Sequence, residues 1–548
     1  MKNRLIFLVL IAILTLAFYL RYIDSIKRAD LPSIDAHLYS ISAYNLYKYH
    51  AYSYKLMGQF YPPIHPFGYP LMIIPFYMIF GSQPYNAVYC SLFFSLLSIV
   101  FIYLIGKKVA NKLTGIVAAL FLTLCPLHII YGKKIMAESL STFLYLFVFW
   151  LFLKAIEPEQ KRNVSLLLLM GLIIGFGLSV RYANLLIYPV IFVSLLYARN
   201  RNFKLSVREG AIVSLGVIIA LIPLLLYNLH AYGSPLTNGY EYWNMKGDFS
   251  LKSFAYPSDK AGIAKQGNFI AYLSALLGID KHFYPLAMFP LILIGGFSIV
   301  LKNKKVISTS KILLMFTMAI TAFQLLFYSL YRFQRYRFFL EIVPFLLLVG
   351  AYSVVGNVPW HKFKWLSKRT LLSGVSCMLA LVVMGQWGGQ LYGAKAPALQ
   401  NRGYGIIKEA YKYLENDAVV ISHLDYFFAE HYLTANSERI FINADALHRG
   451  GWTHIAWLER TRPEPLVHQS TNITRFKRYY YLFRNNKNVN PVTLNFIYTE
   501  LRRGRPVYFL NSPRNYQPKR FFRQLGGFFI VKKHKENPQL YKLYIKHW

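Results

Sequence analysis

The stretch Val88–Ile130, VYCSLFFSLLSIVFIYLIGKKVANKLTGIVAALFLTLCPLHII, decides the architecture. A helix needs about 20 mostly apolar residues to cross a hydrocarbon core, and two such runs here flank the basic turn Lys107-Lys108…Lys112. The pattern repeats outward: eleven apolar runs lie near residues 4–23, 84–105, 113–130, 138–154, 164–180, 184–198, 209–228, 284–301, 311–330, 338–356 and 370–392. The composition agrees, since of 548 residues 55% are hydrophobic and 15% charged, against roughly one quarter charged in soluble domains. A soluble enzyme is excluded on that ground. The net charge of +38, from 61 Lys and Arg against 23 Asp and Glu, reads as bilayer topology rather than nucleic-acid binding. Cys90, Cys125 and Cys377 all lie in apolar runs and cannot be fully paired, so disulfides do not hold this fold.

Loop charge sets the orientation, because short basic loops stay in the cytoplasm. With the N-terminus inside, the clusters Lys107-Lys108…Lys112, Lys154…Arg162, Arg199…Arg208, Lys302…Lys311 and Lys362…Arg369 all fall on the inner side. The first run follows Lys2 and Arg4, lacks a small-residue cleavage site, and is expected to be a retained anchor. The same parity puts residues 24–83, the turns near 131–137, 181–183 and 331–337, the loop 229–283 and everything after 393 outside. Phe67–Gly81 is apolar but short and contains Pro70 and Pro75; it is expected to be interfacial or re-entrant, since a twelfth span would invert the charge alternation.

From residue 394 the apolar runs shrink to strand length, as in Ala418–Ser422 and Pro506–Leu510. The expected organisation is a transmembrane domain over 1–393, with outer loops 24–83 and 229–283, and a soluble α/β or α+β domain over 394–548 on the outer face. That domain carries 25 Lys and Arg against 11 Asp and Glu, either as a solvated basic face or as a surface for anionic lipid or acceptor.

Acidic residues are scarce, and each one near the membrane is costly. Asp35, in Ser33-Ile-Asp-Ala-His-Leu-Tyr39, opens the first outer loop, and Glu138 sits where the turn Lys133-Lys134-Ile-Met-Ala enters a span. Alternative roles are a helix N-cap for Asp35 and a charge partner of Lys133 or Lys134 for Glu138. His37 and His65 share the first outer loop, but two histidines without a thiol or carboxylate pair form no clear metal ligand set. The tyrosines Tyr44, Tyr47, Tyr49, Tyr52 and Tyr54 are read as packing before sugar stacking. Arg181, Arg335 and Arg337 lie in short outer turns, where a guanidinium either forks onto phosphate oxygens or snorkels at a helix end.

Asp35…Tyr39…Tyr54, then Tyr61-Pro-Pro63…Pro66…Tyr69-Pro-Leu71 and Phe80-Gly81, resembles the first outer loop of GT-C fold glycosyltransferases. More narrowly, it is similar to the protein mannosyltransferase and lipid A aminoarabinose transferase group. Met136-Ala-Glu138, Gly171…Gly175…Arg181, Asn228…Tyr232-Gly-Ser-Pro235 and Arg335-Tyr-Arg337…Pro344 continue the resemblance over residues 1–350. It implies transfer of a sugar from a polyprenyl-phosphate carrier, with inversion, to a lipid, glycan or protein acceptor outside the membrane. The first-loop acid of the family falls on Asp35 as base, and Glu138 is the second catalytic candidate. Arg181, Arg335, Arg337, Lys133 and Lys134 are the donor-phosphate candidates, and His37, Tyr39, Tyr54, Tyr61 and Tyr336 the sugar or acceptor contacts. Many relatives have a second acid after the Asp, whereas Ala36 and His37 follow here, which puts a metal-dependent mechanism in doubt.

The residue types match what the chemistry requires: a carboxylate to take the hydroxyl proton and cations for the leaving phosphate, around an oxocarbenium-like state. No cofactor is assigned, a divalent metal staying open without a clear ligand set, and no nucleic-acid partner is expected; membrane lipids are, in a bacterial inner membrane with an undecaprenyl carrier. A polytopic transporter or a lipid-carrier-dependent glycan ligase or polymerase is the alternative. The long first loop, the lack of paired repeats and the terminal domain favour the transferase.

Overall fold

The computed structural model describes residues 3–27, 34–56, 59–157, 164–199, 202–243, 249–255, 266–279, 283–284, 286–301, 308–331, 333–355, 377–387, 402–424, 426–434, 437–445, 481–484, 488–511 and 518–546. After α1 (Asn3–Lys27) come the first-loop helices α2 (Ile34–Tyr49) and α3 (Gly68–Phe80), with the hairpin β1 (Tyr54–Leu56) and β2 (Gln59–Tyr61) between them. The bundle continues with α4 (Val88–Val109), α5 (Lys112–Leu124), α6 (Pro126–Gly132), α7 (Glu138–Ala155), α8 (Val164–Val180), α9 (Ile187–Ala198) and α10 (Phe203–Tyr232). The second outer loop holds α11 (Gly239–Tyr242), α12 (Leu251–Ala255) and α13 (Asn268–Leu276); α14 (Met288–Leu301), α15 (Thr309–Leu330), α16 (Val343–Val355) and Cys377–Trp387 follow.

Each of the eleven apolar runs contains a helix among the described residues. Five helices, α1, α4, α7, α10 and α15, are long and apolar enough to cross a membrane alone, and α5 and α6 qualify as a pair bent by 65°. The remaining runs hold apolar helices of 10–17 residues. The run at 338–356 is helical only from Val343, because Tyr336–Phe339 forms a 3-10 turn. α3, with Pro75 inside, is 13 residues long, shorter than a span requires.

Local chemistry sets these boundaries. Asn111, Asn202 and Ser308 accept from the backbone N–H three residues on and cap α5, α10 and α15. The break between α5 and α6 falls at Pro126, which has no N–H to give to the Leu122 carbonyl. Arg21 of α1 supplies the donors instead: its guanidinium reaches the carbonyls of Leu122 and Thr123 at 3.4 Å each, and that of Ala17 at 3.0 Å. Its other bonds go to Ser95 Oγ and His128 Nδ1, both at 2.8 Å. Where α8 crosses α10, a Cβ on Gly171 would collide with the Val213 carbonyl, and one on Gly216 with that of Leu168; small residues permit this close approach.

Three of the turns predicted to share one side meet at one end, and the cluster Lys362…Arg369 lies outside the described residues. Asn111 Nδ2 donates to the Val355 carbonyl at 3.0 Å, Thr309 Oγ1 to that of Val109 at 3.4 Å, and Lys108 pairs with Glu157. At the opposite end the loops that follow α1 and α10 lock together, with Trp243 Nε1 on the Pro62 carbonyl at 2.8 Å and the Tyr232 hydroxyl on that of Pro63 at 2.7 Å.

The C-terminal region is α/β, as expected, and both predicted strands are present. Its strands are β3 (Val419–Ser422), β4 (Ile440–Asp445), β5 (Tyr481–Arg484), β6 (Asn488–Val489), β7 (Val507–Leu510), β8 (Phe529–Lys533) and β9 (Leu540–Ile545), in the sheet order β6-β5-β4-β3-β7-β9-β8. β3 pairs in parallel with β4 and β7, and β9 pairs antiparallel with β7 and β8. One sheet face, with Ile421, Phe509 and Leu543, builds its own core. The other, with Val420, Tyr508 and Leu510, shares a core with Leu38, Tyr39 and Ile41 of α2. The boundary near 393 lies outside the described residues.

Candidate active site

The end of the bundle beneath α2 carries an alternating chain of acids and bases. Asp35, in the first turn of α2, has one carboxylate oxygen 2.9 Å from Arg337 Nη1. Arg337 Nε lies 3.5 Å from Glu138 at the start of α7. Glu138 is in turn 4.0 Å from Arg181 Nη2, and Arg181 Nη1 pairs with Glu341. Five residues from four separate segments thus converge, Arg337 and Glu341 sharing the turn before α16. Glu138 and Glu341 have only 4% and 2% of their side chains exposed, whereas Asp35 and Arg337 keep 31% and 24%. The chain is sealed at one end and open at the other, where a reacting group can enter.

Each member is placed by its local structure. An acid in the first turn faces the positive end of the helix dipole, which favours Asp35 as an anion. Arg181 follows α8 in extended backbone and leads into a 3-10 turn, with its N–H on the Gly177 carbonyl at 2.9 Å. Gly68 lets α3 press on the Ser179 carbonyl just before it. The turn ahead of Glu138 is pinned by α4: Ser91 Oγ donates to the Met136 carbonyl at 3.3 Å and shares a bond with the Tyr69 hydroxyl at 2.6 Å. Burial on its own pushes the Asp35 carboxyl up, but Arg337, His65 and Arg181 outweigh it and hold the group below its usual value. Asp35 is therefore ionised at neutral pH.

Not every sequence candidate joins this chain. Arg337 rather than Arg335 meets the carboxylates; the Arg335 Nη1 donates to the Gln334 carbonyl at 2.9 Å, and its backbone N–H to the Tyr272 hydroxyl at 3.0 Å. Glu138 pairs with Arg337 and Arg181 instead of Lys133 or Lys134. Both lysines are half-buried, and Lys134 Nζ stands 5.1 Å from the Tyr131 ring centre. Burial and Arg337 lower the Lys134 ammonium below its ordinary value.

His37 turns away from Asp35 and shares a 3.1 Å bond with the Tyr432 hydroxyl. Tyr39 stacks on His65 at 4.5 Å and edge-on to Tyr69 at 4.9 Å. Tyr54 accepts from the Ile64 N–H at 3.2 Å, Tyr61 packs on Trp243, and Tyr336 is buried beside Phe283. These five aromatic and imidazole groups sit among protein neighbours. His65 lies buried between Tyr39 and Tyr240, and burial pushes its imidazole down while Asp35 pulls it up. Among the described residues no group of three or more His, Cys, Asp or Glu is placed to hold a metal ion.

Glu341 is the site residue that sequence reasoning missed. It is an acid inside the apolar run 338–356, and the cost argument that singled out Glu138 applies to it equally.

Residues 64–227, under a third of the chain, match the family described as dolichyl-phosphate-mannose-protein mannosyltransferase. No curated protein matches significantly in sequence. Two crystal structures of ArnT from Cupriavidus metallidurans superpose over 99% of this chain and 98% of theirs. The apo state gives a TM-score of 0.59 at 11% identity, and the form bound to undecaprenyl phosphate 0.60 at 12%. The Archaeoglobus fulgidus oligosaccharyltransferase, in complex with Zn and sulfate, gives 0.51 at 15% identity over 79% of this chain and 62% of its own. The chain has the GT-C fold, that of membrane glycosyltransferases. The fold and the matched segment agree with the resemblance read from the sequence.

Proposed function

We propose that this protein is an inverting glycosyltransferase that moves a sugar from a polyprenyl-phosphate carrier to a hydroxyl on a lipid, glycan or protein acceptor at the extracytoplasmic face. The observation that carries the reading is the chain Asp35–Arg337–Glu138–Arg181–Glu341, buried at one end and open at Asp35. The acceptor oxygen attacks the anomeric carbon opposite the phosphate, Asp35 takes the hydroxyl proton, and the carbon–phosphate oxygen bond breaks with its electron pair staying on the phosphate. Arg337, with Lys133 and Lys134 on the neighbouring turn, offsets the charge developing there. Glu138 and Glu341 hold the two guanidinium groups in place, so little reorganisation is needed as charge moves. A whole-length likeness to a protein crystallised with undecaprenyl phosphate supports that carrier, and the basic inner loops support a cytoplasmic N-terminus in a bacterial inner membrane.

The test is transfer by purified protein in lipid, offered radiolabelled undecaprenyl- and dolichyl-phosphate-linked sugars with a crude envelope extract. Label should enter a product with the wild type and not with Asp35→Asn. Absence of transfer from every lipid-linked sugar by well-folded wild type sinks the reading.

A further inference from the structure

α2 lies outside the apolar runs, yet from Ala36 to Asn45 every residue is buried. Its sequence, IDAHLYSISAYNLYKY, has no polar stripe, and a helix without a wet side must be covered all round. One side meets the charge chain through Asp35. Successive residues turn about 100° around a helix, so His37 points about 200° from Asp35, and Tyr44, seven residues on, shares the His37 face. That face meets the C-terminal helix Tyr426–Thr434: His37 bonds the Tyr432 hydroxyl at 3.1 Å, and the Tyr44 and His431 rings stand edge-on at 4.9 Å. The shared core of α2 and the sheet face bearing Val420 and Tyr508 makes this junction continuous.

We propose that the C-terminal domain is a positioning element for the reaction, holding Asp35 in register with Arg337 by clamping the opposite face of α2 through His37–Tyr432 and Tyr44–His431. This rests on Asp35 being the base. The domain then serves turnover itself, beyond any part in acceptor capture. α2 cannot tilt without breaking contact with the sheet-bearing domain, and events on that domain reach Asp35 through one rigid helix.

The test uses the full-length protein in lipid nanodiscs with Tyr432→Phe, which removes one oxygen, His37→Leu, and the double variant. Each single variant should lower kcat about tenfold, as expected for a small misplacement of a reacting group, with KM for the lipid-linked sugar and for the acceptor within about twofold. The double variant should be no slower than the worse single, because both break one contact. Hydrogen exchange should quicken in the amides of α2 and stay unchanged in those of α7. Multiplicative losses, a raised acceptor KM for His37→Leu alone, or a lower melting temperature with kcat intact would each overturn the clamp. The exchange measurement needs no substrate, so if the wild type transfers no sugar the functional reading fails while unchanged α2 exchange still decides against the clamp.

Discussion

Two buried arginine sites in the same helical bundle are built on opposite logic. Arg21, with no exposed surface, faces three backbone carbonyls, a serine hydroxyl and an imidazole, which match the five N–H donors of a guanidinium. Its charge meets neutral dipoles, and no bonding capacity is left for a ligand. Arg337 faces two carboxylates, keeps a quarter of its side chain exposed, and has an Nε without a hydrogen-bond partner. The buried Oε2 of Glu341 is likewise unpartnered. Buried polar atoms without a hydrogen-bond partner occur beside both arginines, His128 Nε2 and Thr123 Oγ1 at Arg21 among them, so what separates the sites is that Arg337 faces carboxylates and an opening. Arg21 mends a helix that Pro126 breaks; Arg337 bridges two carboxylates beside an opening.

Substitutions separate the two. Asp35→Asn should lower transfer about 10²–10⁴-fold, the range for removing a general base, with the melting temperature in detergent unchanged; near-normal turnover would take Asp35 out of that role. Arg337→Gln should slow transfer about 10²-fold, as for loss of one preorganised charge donor, and shift the pH profile. Asp35 acts as a carboxylate and its value is depressed, so wild-type kcat/KM should hold down through the ordinary aspartate range near about pH 3.9. Without Arg337 the burial effect is less opposed, and the acidic limb should move to higher pH; an unmoved limb would mean that Arg337 does not tune Asp35.

Arg21→Met should act the other way round. It strands the carbonyls of Leu122 and Thr123, costing about 1–3 kcal/mol for each buried group left unpaired, and should lower the melting temperature while donor KM holds. A large rise in donor KM with stability intact would erase the contrast between the sites. Gly171→Ala should cost about 1–3 kcal/mol through overpacking of α8 on α10, read as a lower melting temperature. Lys133→Ala should have the smallest effect, a few-fold rise in donor KM, since a half-exposed cation contributes about 0–1 kcal/mol.

Much of this was legible in the sequence. Length and apolarity picked out eleven runs that each hold a helix, but among the described residues only five helices and one bent pair reach the length that hydrocarbon core thickness requires. Asp35 and Glu138 stood out by cost, since ionised groups at a membrane boundary persist only with partners, and Arg181, Arg335 and Arg337 by their place in short turns on the expected outer side. The partners were not legible. Asp35 and Arg337 are 302 positions apart and Arg181 and Glu341 are 160 apart, and spacing in the chain carries no information on such distant pairs. Arg335 and Arg337 are two residues apart in one turn, and only the 3-10 geometry of Tyr336–Phe339 decides which of them reaches the carboxylates.

Arg21 shows the same division. Pro126 lies inside the run 113–130 that reads as one span, so neither the break nor the donor that fills it from another helix was legible. By itself the sequence determined the helical runs, the alternation of turns between two ends, the separate α/β region and the identity of the scarce charges, all of which follow from local composition acting against a bilayer or water. The tertiary structure alone decided which guanidinium meets which carboxylate, which histidine turns from the site to the outer domain, and where a charge is left under-satisfied. Those outcomes depend on the packing of whole helices, where a rotation of one residue moves a side chain to another face.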